Sequence, residues 1–158
     1  MEQSLENKEI ELSQECKTPA ILDEINKQFE LARVTPNNYS PLNLAYIGDS
    51  VFDVIVKTVM VERGNTQVNK LHQATSRIVK AVSQAKMYDA IKESLTEEEA
   101  NIMRRGRNAK PYTKAKNASY SEYCKATGIE ALTGYLYLQG KTTRMIELVK
   151  LGIDKLED

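Results

Sequence analysis

Apolar positions recur every three or four residues along most of this chain beyond residue 20, a helical period. Ile21, Leu22, Ile25, Phe29 and Ala32 suit one amphipathic helix. VTPNNYSP, Val34 to Pro41, reads as a loop by its proline and asparagine content. Ser40 followed by Pro41 is a helix start: an N-cap hydroxyl, then a ring whose fixed φ suits the first turn. Gly64 is the next stop, which predicts a helix over roughly 41–63. Its apolar residues, Leu42, Leu44, Ile47, Val51, Phe52, Val54, Ile55, Val59 and Met60, cover almost the whole circumference. A helix apolar all round is expected at the buried centre of a fold.

A further helix is expected after Thr66, with Val68, Leu71, Ile78, Val79, Val82 and Ala85 on one face, reaching Ile91. TEEE, Thr96 to Glu99, is a capping box for a short helix that Gly106 is expected to close. RRGRNAKPYTKAK, Arg104 to Lys116, then reads as a loop by its Gly, Asn and Pro. Two more helices are predicted, one from about Ser121 or Thr127 to Leu138 and one from about Thr143 to Leu156. No strand pattern of period two survives, so the fold class is all-α.

Composition divides this helical chain. Its 158 residues suit one domain with an appendage. Residues 1–36 hold eight acids and four bases, and residues 37–158 hold fourteen acids and eighteen bases. Residues 1–36 are therefore read as an acidic extension with one amphipathic helix, and 37–158 as the functional domain. Cys16 and Cys124 match no metal-ligand or redox spacing, which suits a reducing cytoplasm. No apolar run approaches the ~20 residues of a membrane span, and no signal-peptide core is present. The single histidine, His72, excludes a two-histidine acid/base pair or a multi-histidine zinc site within one chain. Chemistry must rest on carboxylates, hydroxyls or lysines.

Two carboxylates stand out. Asp49 in NLAYIGDSVFDV and Glu130 in TGIEALTGYLYL each sit amid apolar neighbours, with no lysine or arginine among those neighbours. Burying an ionised acid costs several kcal/mol unless it is paired, hydrogen-bonded or bound to a cation. One reading is that both acids share a hard cation, Mg²⁺ with Mn²⁺ as a substitute, which accepts oxygen-only ligation and keeps several waters. The other is that each bonds backbone or pairs with a distant arginine, as structural acids do. Asp53, four residues after Asp49, is expected either to add a water-mediated contact or to face solvent.

The basic segment is the second signal: Arg104, Arg105, Arg107, Lys110, Lys114 and Lys116 stand with no acid from Ala100 to Ser121. Such a run suits contacts to a phosphate backbone, and beside a metal-capable acid pair it is more than a solvated charged loop.

These residues resemble a known family. NLAYIGDSVFDV resembles the signature helix of ribonuclease III, and GIEALTGYLYL its second acidic motif. With RRGRNAK between them, the ordered set resembles the minimal branch, Mini-ribonuclease III, over about Tyr39 to Leu156. No double-stranded-RNA-binding domain is expected after Leu156. The resemblance implies a homodimeric all-helical bundle with the signature helix at the subunit interface. It implies divalent-metal-dependent hydrolysis of double-stranded RNA to a 5′-phosphate and a 3′-hydroxyl. Asp49 and Glu130 become the metal-binding catalytic acids, and RRGRNAK the loop that grips RNA. It further implies maturation of the large-subunit (23S) ribosomal RNA precursor, with ribosomal proteins as candidate partners.

Two departures thin the site. Full-length members carry an acid one turn before each motif acid, where this chain has Ala45 and Thr127. The thinning motivates an alternative, a noncatalytic RNA-binding module that keeps the fold. A helical interaction adaptor would use the apolar helices but leave the acid pair and basic run idle.

Overall fold

The computed structural model describes residues 20–109 and 119–157, and every regular element among them is helical. The chain divides into two compact units, one ending at Arg33 and one beginning at Val34. In the first, α1 (Ile21–Gln28) is shorter than the apolar period suggested and leaves Ala32 outside it. Arg33 pairs with Asp23 of that helix.

Among the described residues the second unit holds six α-helices: α2 (Pro41–Glu62), α3 (Val68–Val79), α4 (Ala81–Ile91), α5 (Glu97–Asn108), α6 (Tyr120–Leu138) and α7 (Thr142–Glu157). Short 3₁₀ turns at Pro36–Asn38 and Lys92–Ser94 complete the connections. Helix starts follow the sequence signals. Ser40 Oγ accepts from the Asn43 amide at 3.1 Å, with Pro41 in the first turn. Thr96 and Glu99 close a full capping box, at 3.2 Å and 2.9 Å. Ser119 caps α6 through the Glu122 amide at 3.1 Å.

The buried centre is α6, not α2. Every residue of α6 from Ala126 to Leu136 is buried except Glu130, and α2, α4, α5 and α7 pack around it. Helix α2 buries only the face of Leu44, Ala45, Gly48, Phe52 and Val56. Leu42, Tyr46, Val54 and Val61 stay exposed on its other side, so its all-round apolarity exceeds what this one chain can bury.

Three boundaries also differ from the sequence reading. The helix expected from Thr66 to Ile91 breaks at Lys80, whose φ of −66° and ψ of 152° are extended. Gly106 does not close α5; it lies inside the helix, where a Cβ would stand 2.6 Å from that of Ala131. Arg104, Arg105 and Arg107 are therefore helical and not part of a loop, while Lys110, Lys114 and Lys116 lie outside the described residues.

Candidate active site

The site begins with two glycines. A Cβ at Gly48 would stand 1.7 Å from the Glu130 carbonyl oxygen, and one at Gly134 would stand 2.0 Å from that of Leu44. Helices α2 and α6 thus touch backbone to backbone, an approach open to glycine alone. That contact brings Asp49, next to Gly48, beside Glu130, one helical turn before Gly134. Residues from both sequence motifs meet here, as the shared-cation reading required.

Their environments differ. Asp49 is exposed on the shoulder of α2, against the expectation of an interior position, because α2 packs through one face only. Partial desolvation of its carboxyl and the charge of Asp53 still raise its pKa. Glu130 is half-buried as a residue, but its carboxyl is largely withdrawn from water. Desolvation first, and the Asp49 charge second, push its pKa up to about 8. Neither acid has a hydrogen-bond or cationic partner among the described residues. Asp53 does lie near Asp49, and Lys57 holds it at 2.7 Å.

The two thinned positions are occupied by groups that cannot stand in for acids. Ala45 is buried, and the Thr127 hydroxyl is spent on the Tyr123 carbonyl at 3.0 Å. No group of three or more His, Cys, Asp or Glu side chains arranged to hold a metal ion occurs among the described residues. Two carboxylates without nitrogen or sulfur donors fit a hydrated Mg²⁺ or Mn²⁺ and do not fit a tetrahedral zinc site.

The C-terminal part of α5 packs on the α6 helix that carries Glu130. Gly106 packs against Thr127, Gly128 and Ala131, the turn of α6 around Glu130. Arg107 is stacked over the Tyr88 ring at 5.8 Å, and Lys125, ion-paired with Asp89 at 2.9 Å, lies 5.9 Å from the same ring. Arg104 is exposed and bonds Asn101 at 2.9 Å, and Arg105 is half-buried. Tyr88 and Lys125 as positioners of this end carried no signal in the sequence, because they meet it only through tertiary packing.

An all-helical bundle with two facing acids defines a class. A family model of the ribonuclease III domain matches residues 42–141, so the enzyme class is endoribonuclease. A Mini-ribonuclease 3 from Symbiobacterium thermophilum is 42% identical over 122 residues, 77% of this chain and 94% of that protein. The Mini-ribonuclease 3 of Staphylococcus aureus is 44% identical over 112 residues, 70% of this chain and 84% of that protein. A crystal structure of a Fusobacterium nucleatum protein superposes with a TM-score of 0.67 at 27% identity, covering 74% of this chain and 93% of that one. The chain belongs to the ribonuclease III family, in its Mini-ribonuclease 3 branch. Among the described residues no helix is long and apolar enough to cross a membrane.

Proposed function

We propose that this chain is a homodimeric, divalent-metal-dependent endonuclease of double-stranded RNA, with Asp49 and Glu130 as its metal-binding catalytic acids. The observation that carries the proposal is the pair itself: two adjacent carboxylates, one largely desolvated, with no cationic partner among the described residues. Such an arrangement is a cost to the fold unless a cation completes it.

Asp49 and Glu130 would hold the cation from opposite helices, their separation set by the Gly48–Gly134 contact. A hydrated Mg²⁺ at such a site supplies a water of lowered pKa and neutralises charge on the scissile phosphate. Hydrolysis then adds water oxygen to phosphorus and breaks the bond to O3′, leaving a 5′-phosphate and a 3′-hydroxyl. Arg104, Arg105 and Arg107 at the end of α5, with Lys110, Lys114 and Lys116 beyond it, would grip the duplex backbone. Asp53, paired with Lys57, would contribute through a bridging water.

Leu42, Tyr46, Val54 and Val61 on the open face of α2 support the dimer, since burying this face against a second copy would remove their exposure. The precursor of large-subunit (23S) ribosomal RNA, met in the cytoplasm and in company with ribosomal proteins, is the substrate we assign. Residues 1–36 are an acidic extension to a catalytic domain of 37–158. The thinned acid set is the feature that favours a noncatalytic RNA-binding module instead.

Cleavage of a long duplex RNA decides between the two. Wild type should cut with Mg²⁺ and fail with chelator, and Asp49→Asn should lose at least about a hundredfold in rate while still binding duplex. Full activity in Asp49→Asn would overturn the assignment, and duplex binding without cutting by wild type would favour the noncatalytic module.

A further inference from the structure

We propose that a basic cavity at the α3–α4 junction seats a backbone phosphate of the duplex arm that leaves the cleavage site. This rests on the reading that the substrate is duplex RNA. The cavity, about 390 Å³, lies between that junction and the C-terminal ends of α2 and α7. Met60 and Leu156 contribute apolar lining, and Arg63, Arg77, Lys80 and Lys86 supply positive charge. Arg63 is engaged by Glu157 at 3.6 Å. Glu157 is the one acid lining the cavity and is engaged with Arg63, while Arg77, Lys80 and Lys86 have no ion-pair partner among the described residues, so three exposed cations converge on one concavity in excess of its negative charge.

The junction is built to hold that arrangement. The extended Lys80 turns the chain sharply, and the Ser83 hydroxyl donates back to the Arg77 carbonyl across the turn. Val82 and Ser83, in the first turn of α4, also line the cavity, and no side chain caps that helix start. Its partial positive charge adds to that of the three side chains.

Position favours an RNA backbone over a small phosphorylated ligand. Met60 follows Asp49 by eleven residues on α2, which is close to three whole turns, so both lie on one shoulder about 16 Å apart along the axis. A rigid duplex held at Asp49 and Glu130 can extend a phosphate to that distance without bending. The cations are solvent-exposed, which suits a backbone passing over the cavity better than a ligand enclosed within it.

The test compares wild type with Arg77→Gln/Lys80→Gln/Lys86→Gln, as full chains in chelator, binding a long duplex and a short one that ends at the cleavage site. The triple variant should bind the long duplex about tenfold more weakly, with a log–log salt slope smaller by about one or more. On the short duplex the loss should stay within about twofold. Lys80→Gln alone, at an exposed position, should show a smaller change of the same sign and guards against misfolding of the triple variant. Equal affinity and slope on the long duplex, or equal loss on both lengths, would overturn the proposal. So would inorganic phosphate raising the melting temperature of wild type but not of the variant, at concentrations that leave duplex binding intact, since that result marks a small-anion site. Absence of any duplex binding by wild type would instead sink the substrate reading on which the proposal rests.

Discussion

Glu99 and Glu130 sit on the packed helices α5 and α6, both with carboxyls withdrawn from water, and the protein treats them in opposite ways. Glu99 is saturated with partners. It accepts from the Thr96 amide at 2.9 Å and from two nitrogens of Arg144 at 2.8 and 2.9 Å. Arg144 also donates to the Ser94 carbonyl at 2.8 Å, so one fork ties α7 to the start of α5. The Arg144 hydrogen bonds hold the Glu99 pKa below its ordinary value of 4.5, despite the opposing effect of burial. Glu130 has no such partners among the described residues, and desolvation drives its pKa to about 8. A buried acid that the fold satisfies is a structural rivet, and one that the fold leaves unsatisfied is a place where something else must bind.

The two acids can be separated by substitution. The largest effect should be on cleavage: Glu130→Gln should cost at least about a hundredfold in kcat, whereas Glu99→Gln should leave kcat within a few-fold at temperatures where it remains folded. Single-turnover cleavage of duplex RNA reads both. Stability should show the converse. Glu99→Gln should lose about 1–3 kcal/mol in urea unfolding, below the range for a fully enclosed pair because the Arg144 side chain is 33% exposed.

A third substitution tests the contact that brings Asp49 and Glu130 together. Gly134→Ala would gain up to about 1 kcal/mol of helix propensity. It must also force α2 from α6, since its Cβ has no room beside the Leu44 carbonyl, at a cost of about 1–3 kcal/mol or more. Net destabilisation together with a higher Mg²⁺ concentration needed for half-maximal cleavage is the expected result.

pH separates the two acids by sign. The folded pKa of Glu130 is raised, so between about 4.5 and 8 the folded chain holds a proton that the unfolded chain has lost. Metal-free stability should therefore fall as pH rises through that window, by up to about 1.4 kcal/mol per pH unit, and Glu130→Gln should flatten the fall. Glu99 works the other way: its contribution is present above its ordinary pKa and is lost as pH falls through the lowered one. Urea titrations across pH for the two Gln variants read both signs.

Much of this contrast lay open in the sequence, and its missing parts have physical causes. Ser40–Pro41 and the TEEE box announced their helix starts because capping is local chemistry. Asp49 and Glu130 drew notice because acids in apolar stretches are costly. The Arg144 partner of Glu99 is 45 residues away, beyond the reach of any local pattern. Gly106 read as a stop because glycine usually ends helices, yet here its missing side chain admits Ala131 and Gly128. Lys80 breaks a helix without proline or glycine, a turn imposed by how α3 and α4 pack and by the Ser83 bond. The apolar circumference of α2 suggested a central helix, but periodicity does not distinguish burial inside one chain from a face left open.

The most direct test of the unsatisfied acid is thermal unfolding of wild type and Glu130→Gln near pH 8, each with Mg²⁺ and with chelator. Wild type should gain melting temperature with Mg²⁺, because an ion that binds the folded state alone must stabilise it. Glu130→Gln should gain little, and in chelator it should be the more stable of the two. An equal Mg²⁺ gain in both proteins, or a Glu130→Gln chain weaker than wild type in chelator, would contradict the claim that Asp49 and Glu130 are held in readiness for a cation.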